Sequence, residues 1–232
     1  MISVITCTKR EGFLEKIFYN FLSQKINPKE LVIILHGENI AINPWLNKAA
    51  MHKNITVFSL SQDVSLGDCL NFAIEKCRYD YIAKFDDDDY YSPYYLLEVM
   101  EEVNIKNKTI FGKASIFIYF LYSNTLSLYN LGLENQYLQK KNKFLTGSTL
   151  VFPKIIGKEV KFPSLNLGED IAFQKKCLEM GYSLYSTSIY NYTYLRYKNE
   201  HHTSDASNKK LLKHSKLIAN TDNFHTIVTF KK

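Results

Sequence analysis

Hydrophobic and polar positions in the first hundred residues switch repeatedly between two periods. Ile2–Cys7 is a short run rich in β-branched residues, the pattern of a buried strand. Two adjacent i, i+4 rows follow: Phe13, Ile17 and Phe21, then Leu14, Phe18 and Leu22. They predict an amphipathic helix over 12–24, with Pro28 beyond its end. Leu31–Leu35 and Ile55–Leu60 read as strands. Leu66, Leu70, Ala73 or Ile74, and Cys77 share one helical face. Tyr81–Phe85 predicts a fourth strand, and Ser92 with Pro93 opens a helix continued by Leu96, Leu97, Met100 and Val103. Strands alternating with helices imply an α/β fold: a central, mostly parallel sheet flanked by helices, with ligands beyond the C-terminal strand ends.

The second half is mixed. Ile110–Tyr122 and Thr125–Leu131 read as strands around a Ser123-Asn124 turn, and polar Glu134–Lys143 as a loop. Thr149–Phe152 is another strand. A helix is expected over Glu169–Gly181, stopped by its glycine. Tyr190, Tyr192 and Tyr194 alternate with polar residues, and a last helix is expected over 207–219. With no repeat and no strong linker, this predicts one domain with an α/β front and a mixed back half, ahead of a basic C-terminal helix or tail over 206–232.

Composition narrows the class. Of 232 residues, 46% are hydrophobic and 22% charged, which suits a packed core and excludes disorder as the main state. The longest apolar run, Ile116 to Tyr122, is far short of the ~20 residues of a membrane helix. The N-terminus lacks the features of a secretory signal, so a cytoplasmic protein is expected. Cys7, Cys69, Cys77 and Cys177 form no C-x-x-C pair and predict reduced thiols, with no zinc-ligand spacing. The net charge of +6 is concentrated at the end, where residues 205–232 carry six lysines against two aspartates. Peripheral membrane contact is one partner this tail suggests, and a solvated helix face is the plain alternative. Nucleic acid is not expected.

Three clusters carry chemistry. Asp86, Asp87, Asp88 and Asp89 follow a predicted buried strand, where adjacent carboxylates repel unless a cation compensates. Hard oxygen donors suit Mn²⁺ or Mg²⁺, held by one or two carboxylates and substrate phosphates. Glu169 and Asp170 open a helix, as N-terminal capping acids or as a general base. Arg196, His201 and His202 follow the tyrosine strand and suit a diphosphate, a metal shell or plain surface. Tyr90, Tyr91, Tyr94 and Tyr95 read as packing aromatics ahead of a sugar-stacking platform.

The order of these clusters resembles the GT-A glycosyltransferases, specifically the bacterial family 2-like enzymes that use nucleotide sugars. Ser3–Arg10 is similar to their opening strand and nucleotide loop, and Ser65–Asn71 to a G-x-x-x-N segment. Tyr81–Asp89 resembles the strand with its DxD motif, Gly147–Phe152 the acceptor-side strand, Gly168–Asp170 the ED motif, and His202-Thr203 a later H-T element.

The resemblance implies a single Rossmann-like GT-A domain, with a nucleotide-binding half over 1–105 and an acceptor half over 106–205. It implies Asp88 and Asp86 as metal ligands, Asp86 also as a ribose contact, with Asp87 and Asp89 as lesser candidates. Asp170 would be the catalytic base, with Glu169 as its alternative. Thr6, Thr8 and Arg10 would line the nucleotide pocket, and Arg196 and His202 would support the diphosphate. The implied reaction is inverting sugar transfer to a glycan or lipid-linked glycan in surface polysaccharide synthesis, with a UDP-sugar ahead of other donors. The chain departs from the family at Leu35-His36-Gly37-Glu38-Asn39, where acids that contact the base are usual and Glu38 is the substitute. Two rivals stand beside this reading: a nucleotidyltransferase-like metal enzyme, and a non-catalytic nucleotide-sugar or glycan-binding module.

Overall fold

The computed structural model describes residues 1–38, 40–103, 108–138, 143–197 and 208–231. The first half alternates as its hydrophobic pattern requires. Strand β1 (Ile2–Thr8) is followed by α1 (Leu14–Leu22), β2 (Lys29–Leu35), α2 (Ile42–Ala49), β3 (Ile55–Ser59), α3 (Leu66–Lys76) and β4 (Tyr81–Lys84). Short β5 (Tyr90–Tyr91) and α4 (Tyr95–Val103) complete it. Helix α2 is an addition to the sequence reading, which passed over 42–49. Helix α4 begins three residues after Ser92, whose hydroxyl accepts from the Tyr94 amide at 3.2 Å.

The second half runs β6 (Thr109–Gly112), β7 (Ile116–Phe120), β8 (Thr125–Tyr129), β9 (Gln136–Tyr137) and β10 (Val151–Pro153). Then come α5 (Lys154–Val160), α6 (Glu169–Glu179), β11 (Ser183–Ser186), β12 (Tyr192–Arg196), α7 (Asn208–Lys213), β13 (Ser215–Asn220) and α8 (His225–Val228). An eight-stranded sheet has the order β3-β2-β1-β4-β10-β6-β11-β9, with β3, β2, β1 and β4 parallel and β10 antiparallel to both its neighbours. A five-stranded sheet has the order β13-β8-β7-β12-β5. This is the mostly parallel front and mixed back that the pattern predicted.

Period two explains the layering. Val4, Leu31 and Ile33 face one core with Ile17, Phe18 and Phe21 of α1 and Leu96 of α4, while Ile5, Val32 and Ile34 face a second core under α3, α5 and α6. β1, β2 and β4 are buried on both faces and read as largely apolar runs, while edge strand β3 exposes Thr56 and Ser59. Tyr91 and Tyr95 bear out the packing reading: both are fully buried, and Tyr91 stacks on Phe85 with centroids 3.7 Å apart.

Three elements differ from expectation. The single strand over 110–122 is two strands in different sheets. The chain breaks at Lys113–Ser115, where the Lys113 amide donates to Thr149 Oγ1 at 2.9 Å and the Ala114 amide to Ser186 Oγ at 2.9 Å. Part of the loop over 134–143 is strand β9, with Leu138 fully buried behind it, while 139–142 lie outside the described residues. The helix over 207–219 ends at Lys213, and its second half is β13, antiparallel to β8. That segment pairs with a sheet edge, and the 3.6-residue pattern gave way to the edge's open backbone groups. No helix among the described residues is long and apolar enough to cross a membrane.

Candidate active site

Four parallel strands end on one side of the first sheet, and the residues there line an open cleft of about 1070 Å³. Cys7–Arg10 at the end of β1, His36–Glu38 beyond β2, Gln62 beyond β3 and Lys84–Asp88 around the end of β4 form one wall. The opposite wall comes from 144–148, Gly168–Ile171 and the second sheet. This is where a parallel sheet binds ligands: strands stop there, and the loops that leave them can diverge.

The four adjacent aspartates are separated by environment. Asp89 is fully buried and accepts from the Tyr192 hydroxyl and, at 3.2 Å, from the Leu195 amide. Burial and then Asp88 hold its carboxyl well above the usual range. It anchors β12 and does not line the cleft. Asp87 accepts from the Thr8 hydroxyl and from the Arg10 guanidinium, the Nε bond being 3.0 Å. Asp88 lies 3.0 Å from the same guanidinium. Burial, then neighbouring Asp87, push its carboxyl up to about 6, against Arg10. Asp86 is ion-paired with Lys84 and donates its amide to Tyr91 Oη at 2.8 Å. Asp86, Asp87 and Asp88 thus line the cleft, Asp87 also clamping Thr8 and Arg10, while Asp89 is internal.

Lys84 organises the far side. Its side chain is 6% exposed. Burial opposes its charge, but Asp86 and Glu169, with Asp170 beyond, hold the ammonium above its ordinary range. Glu169 is buried, and that burial raises its carboxyl while Lys84 opposes the rise. Gly168, at φ +79°, turns the chain through the left-handed region so that both acids enter the first turn of α6. Asp170 Oδ1 accepts from the Ile171 amide at 2.8 Å. Its Oδ2 faces Gly147 so closely that a Cβ there would lie 2.0 Å away.

Of the other sequence candidates, Thr8, Arg10 and Glu38 line the cleft, Glu38 as an exposed residue. Thr6 is a correction: it is buried in β1 and does not reach the cleft. Arg196 is another. It is 3% exposed and outside the lining, donating to Tyr194 Oη at 2.8 Å and to Asn208 Oδ1 at 2.6 Å, so it braces β12 against α7. His201 and His202 lie outside the described residues. Lys84 and Gly147 were missed as site residues. A lysine two positions before the acids, on a strand buried on both faces, is the signal that marks Lys84. Nothing in the sequence marks the approach of Gly147 to Asp170.

Among the described residues, no group of three or more His, Cys, Asp or Glu could hold a metal by itself. Asp86 and Asp88 are hard oxygen donors facing one cleft. They fit Mn²⁺ or Mg²⁺ as a partial set that phosphate oxygens complete.

An open cleft at the parallel strand ends, lined by acids from the end of β4 and the start of α6, is the arrangement of a GT-A fold. The model of the family described as "Glycosyl transferase family 2" matches residues 3–155, more than half of the chain, and the chain belongs to that family. A 78-residue stretch is 28% identical to an Escherichia coli UDP-Gal:alpha-D-GlcNAc-diphosphoundecaprenol beta-1,3-galactosyltransferase, covering 33% of this chain and 28% of that enzyme. The crystal structure of S. aureus TarS 1-349 in complex with UDP-GlcNAc superposes with a TM-score of 0.65 at 18% identity, covering 89% of this chain and 61% of that one. The same protein in complex with UDP gives 0.59 at 16% identity, covering 84% and 60%. The chain therefore spans under two thirds of these relatives, and the structural likeness concerns the fold.

Proposed function

We propose that this chain moves a sugar from a nucleotide-diphosphate donor to an acceptor hydroxyl with inversion, in the synthesis of a surface polysaccharide or other glycan. The observation that carries this reading is that Asp86 and Asp88 on one wall and Asp170 on the other open into a single cleft. Thr8, Arg10, His36 and Glu38 form its nucleotide end. A UDP-sugar is the favoured donor, supported by the UDP-Gal named for the E. coli relative and the UDP-GlcNAc bound to TarS. The acceptor class is a glycan or lipid-linked glycan.

Asp88 and Asp86 would hold Mn²⁺ or Mg²⁺, which when bound neutralises charge on the departing diphosphate. Arg10, clamped by Asp87, lies beside Asp88 and adds a fixed positive charge there. Asp170 accepts the proton of the acceptor hydroxyl as that oxygen attacks the anomeric carbon from the face opposite the leaving group. Lys84 pairs with Asp86 and places its buried ammonium beside the Glu169–Asp170 turn. Glu169, buried beside Lys84, supports the turn more than it meets substrate.

The test is product analysis with Mn²⁺ and a panel of nucleotide sugars. Release of nucleoside diphosphate and an inverted anomer is expected. Asp170→Asn should lower kcat by about 10²- to 10⁴-fold with little change in donor KM. Asp88→Ala should abolish the Mn²⁺-dependent rise in Tm given by the nucleotide. Pyrophosphate as product would move the chain to the nucleotidyltransferases, and unchanged turnover in Asp170→Asn would remove the assigned base.

A further inference from the structure

Beneath the cleft, two buried tyrosines tie the acids that follow β4 to the wall that holds Asp170. Tyr91 Oη accepts from the Asp86 amide at 2.8 Å and donates to the Ser148 carbonyl at 2.6 Å. Tyr192 Oη donates to Asp89 and lies 2.6 Å from Ser148 Oγ. A phenol has one proton, so Ser148 supplies the hydrogen of that second bond. Both ends of the 86–89 run thus reach one residue. The two rings are fully buried and 5.3 Å apart, and Tyr91 is stacked on Phe85, so they act as struts of fixed length.

From Ser148 the path reaches Asp170 by two routes. Gly147, its neighbour in the chain, abuts the Asp170 carboxylate. Two residues further back, Leu145 is clipped by the fully buried Gln174, which accepts from its amide at 2.8 Å and donates to its carbonyl at 3.0 Å. Gln174 Nε2 also donates to the Asp170 carbonyl at 3.2 Å, one helical turn back. The segment 145–148 therefore seats both the side chain and the main chain of Asp170. Asp86 has its own anchor in Lys84, and Asp87 and Asp88 have theirs in Arg10. Cutting a strut releases the turn more than it releases these acids.

We propose that Ser148, Tyr91 and Tyr192 are positioning residues, which set the distance between the donor-side acids and Asp170. This role rests on the reading of Asp170 as the base. Transfer needs the acceptor oxygen within about 3–3.5 Å of the anomeric carbon, in line with the leaving group. The acids that hold the donor and the carboxylate that meets the acceptor stand on different walls, so the struts fix that approach.

The experiment compares kcat and donor KM for Ser148→Ala and Tyr192→Phe, each alone and combined with Asp170→Asn, using single-turnover rates where turnover is slow. With Asp170 present, each should lower kcat about ten-fold. Donor KM and the Tm rise given by nucleotide with Mn²⁺ should stay unchanged, because Asp86 and Asp88 keep Lys84 and Arg10. With Asp170→Asn, the same substitutions should lower kcat by less than about two-fold, since the group they position is gone. Ser148→Ala leaves the Tyr192–Asp89 bond intact and carries the test should Tyr192→Phe fail to fold. Equal losses in both backgrounds, or full kcat in the single variants, would overturn the positioning role and leave Asp170 as the base. Unchanged turnover in Asp170→Asn itself would overturn the base and the role together.

Discussion

At Gly147 a single hydrogen atom stands where any other side chain would meet the carboxylate of Asp170. The turn Gly147–Thr149 is held from below: Tyr91 Oη donates to the Ser148 carbonyl at 2.6 Å and Tyr95 Oη to the Thr149 carbonyl at 2.7 Å. The turn cannot retreat, so an added methyl group must displace Asp170. Gly147→Ala should therefore lower kcat by about 10- to 100-fold, the scale of an ångström's misplacement, with donor KM and Tm little changed. Steady-state kinetics beside a melting curve check this. Residue identity at 147 was readable from the chain. The partner it must avoid, 23 residues away, became visible only in the fold.

Among the elements, α3 shows what the Gly67…Asn71 spacing does. Ser65 caps the helix by accepting from the Asp68 amide at 3.1 Å. Asn71 then clips Phe162 twice, donating to its carbonyl at 2.8 Å and accepting from its amide at 2.9 Å. One turn back, the Gly67 amide donates to the Leu165 carbonyl at 3.0 Å, and a Cβ at Gly67 would stand 1.8 Å from the Pro163 carbonyl oxygen. The helix thus docks the strap over 162–166 that leads into the Glu169–Asp170 turn. Gly67→Ala strikes backbone and should destabilise the protein by about 1–3 kcal/mol or more in urea unfolding. The helical period of α3 was plain in Leu66, Leu70 and Ala73, but its polar partners came from a segment with no period at all.

At the scale of the whole molecule, two of the connections that pass between the sheets are β6–β7 and β11–β12. Both crossings are tied by Lys113, which is fully buried. Its ammonium donates to Glu98 Oε1 at 3.0 Å, Thr187 Oγ1 at 3.1 Å and the Ser188 carbonyl at 2.8 Å. Glu98 also accepts from Ser188 Oγ and Asn191 Nδ2, each at 2.8 Å. Lys113→Met would leave that carboxylate without its cation. A loss of about 3–5 kcal/mol is expected from denaturant melts, as for other broken buried pairs. The double variant with Glu98→Gln should recover part of it.

The sequence by itself determined the alternation of strands and helices, the parallel front sheet and the position of the acids beyond β4. Hydrophobic period is a local property, and a parallel strand buried on both faces announces itself as an unbroken apolar run. It also carried the order of motifs that places the chain among family 2 glycosyltransferases. Only the tertiary structure decided which of four identical aspartates is internal, because Asp86 to Asp89 differ in the partners of their carboxylates: Lys84, Thr8 with Arg10, Arg10, and Tyr192 with the Leu195 amide. It likewise removed Thr6 and Arg196 from the cleft, split the 110–122 strand between two sheets, and turned half of the last helix into an edge strand. Those outcomes depend on contacts between residues far apart in the chain, where burial and hydrogen-bond partners override local preference.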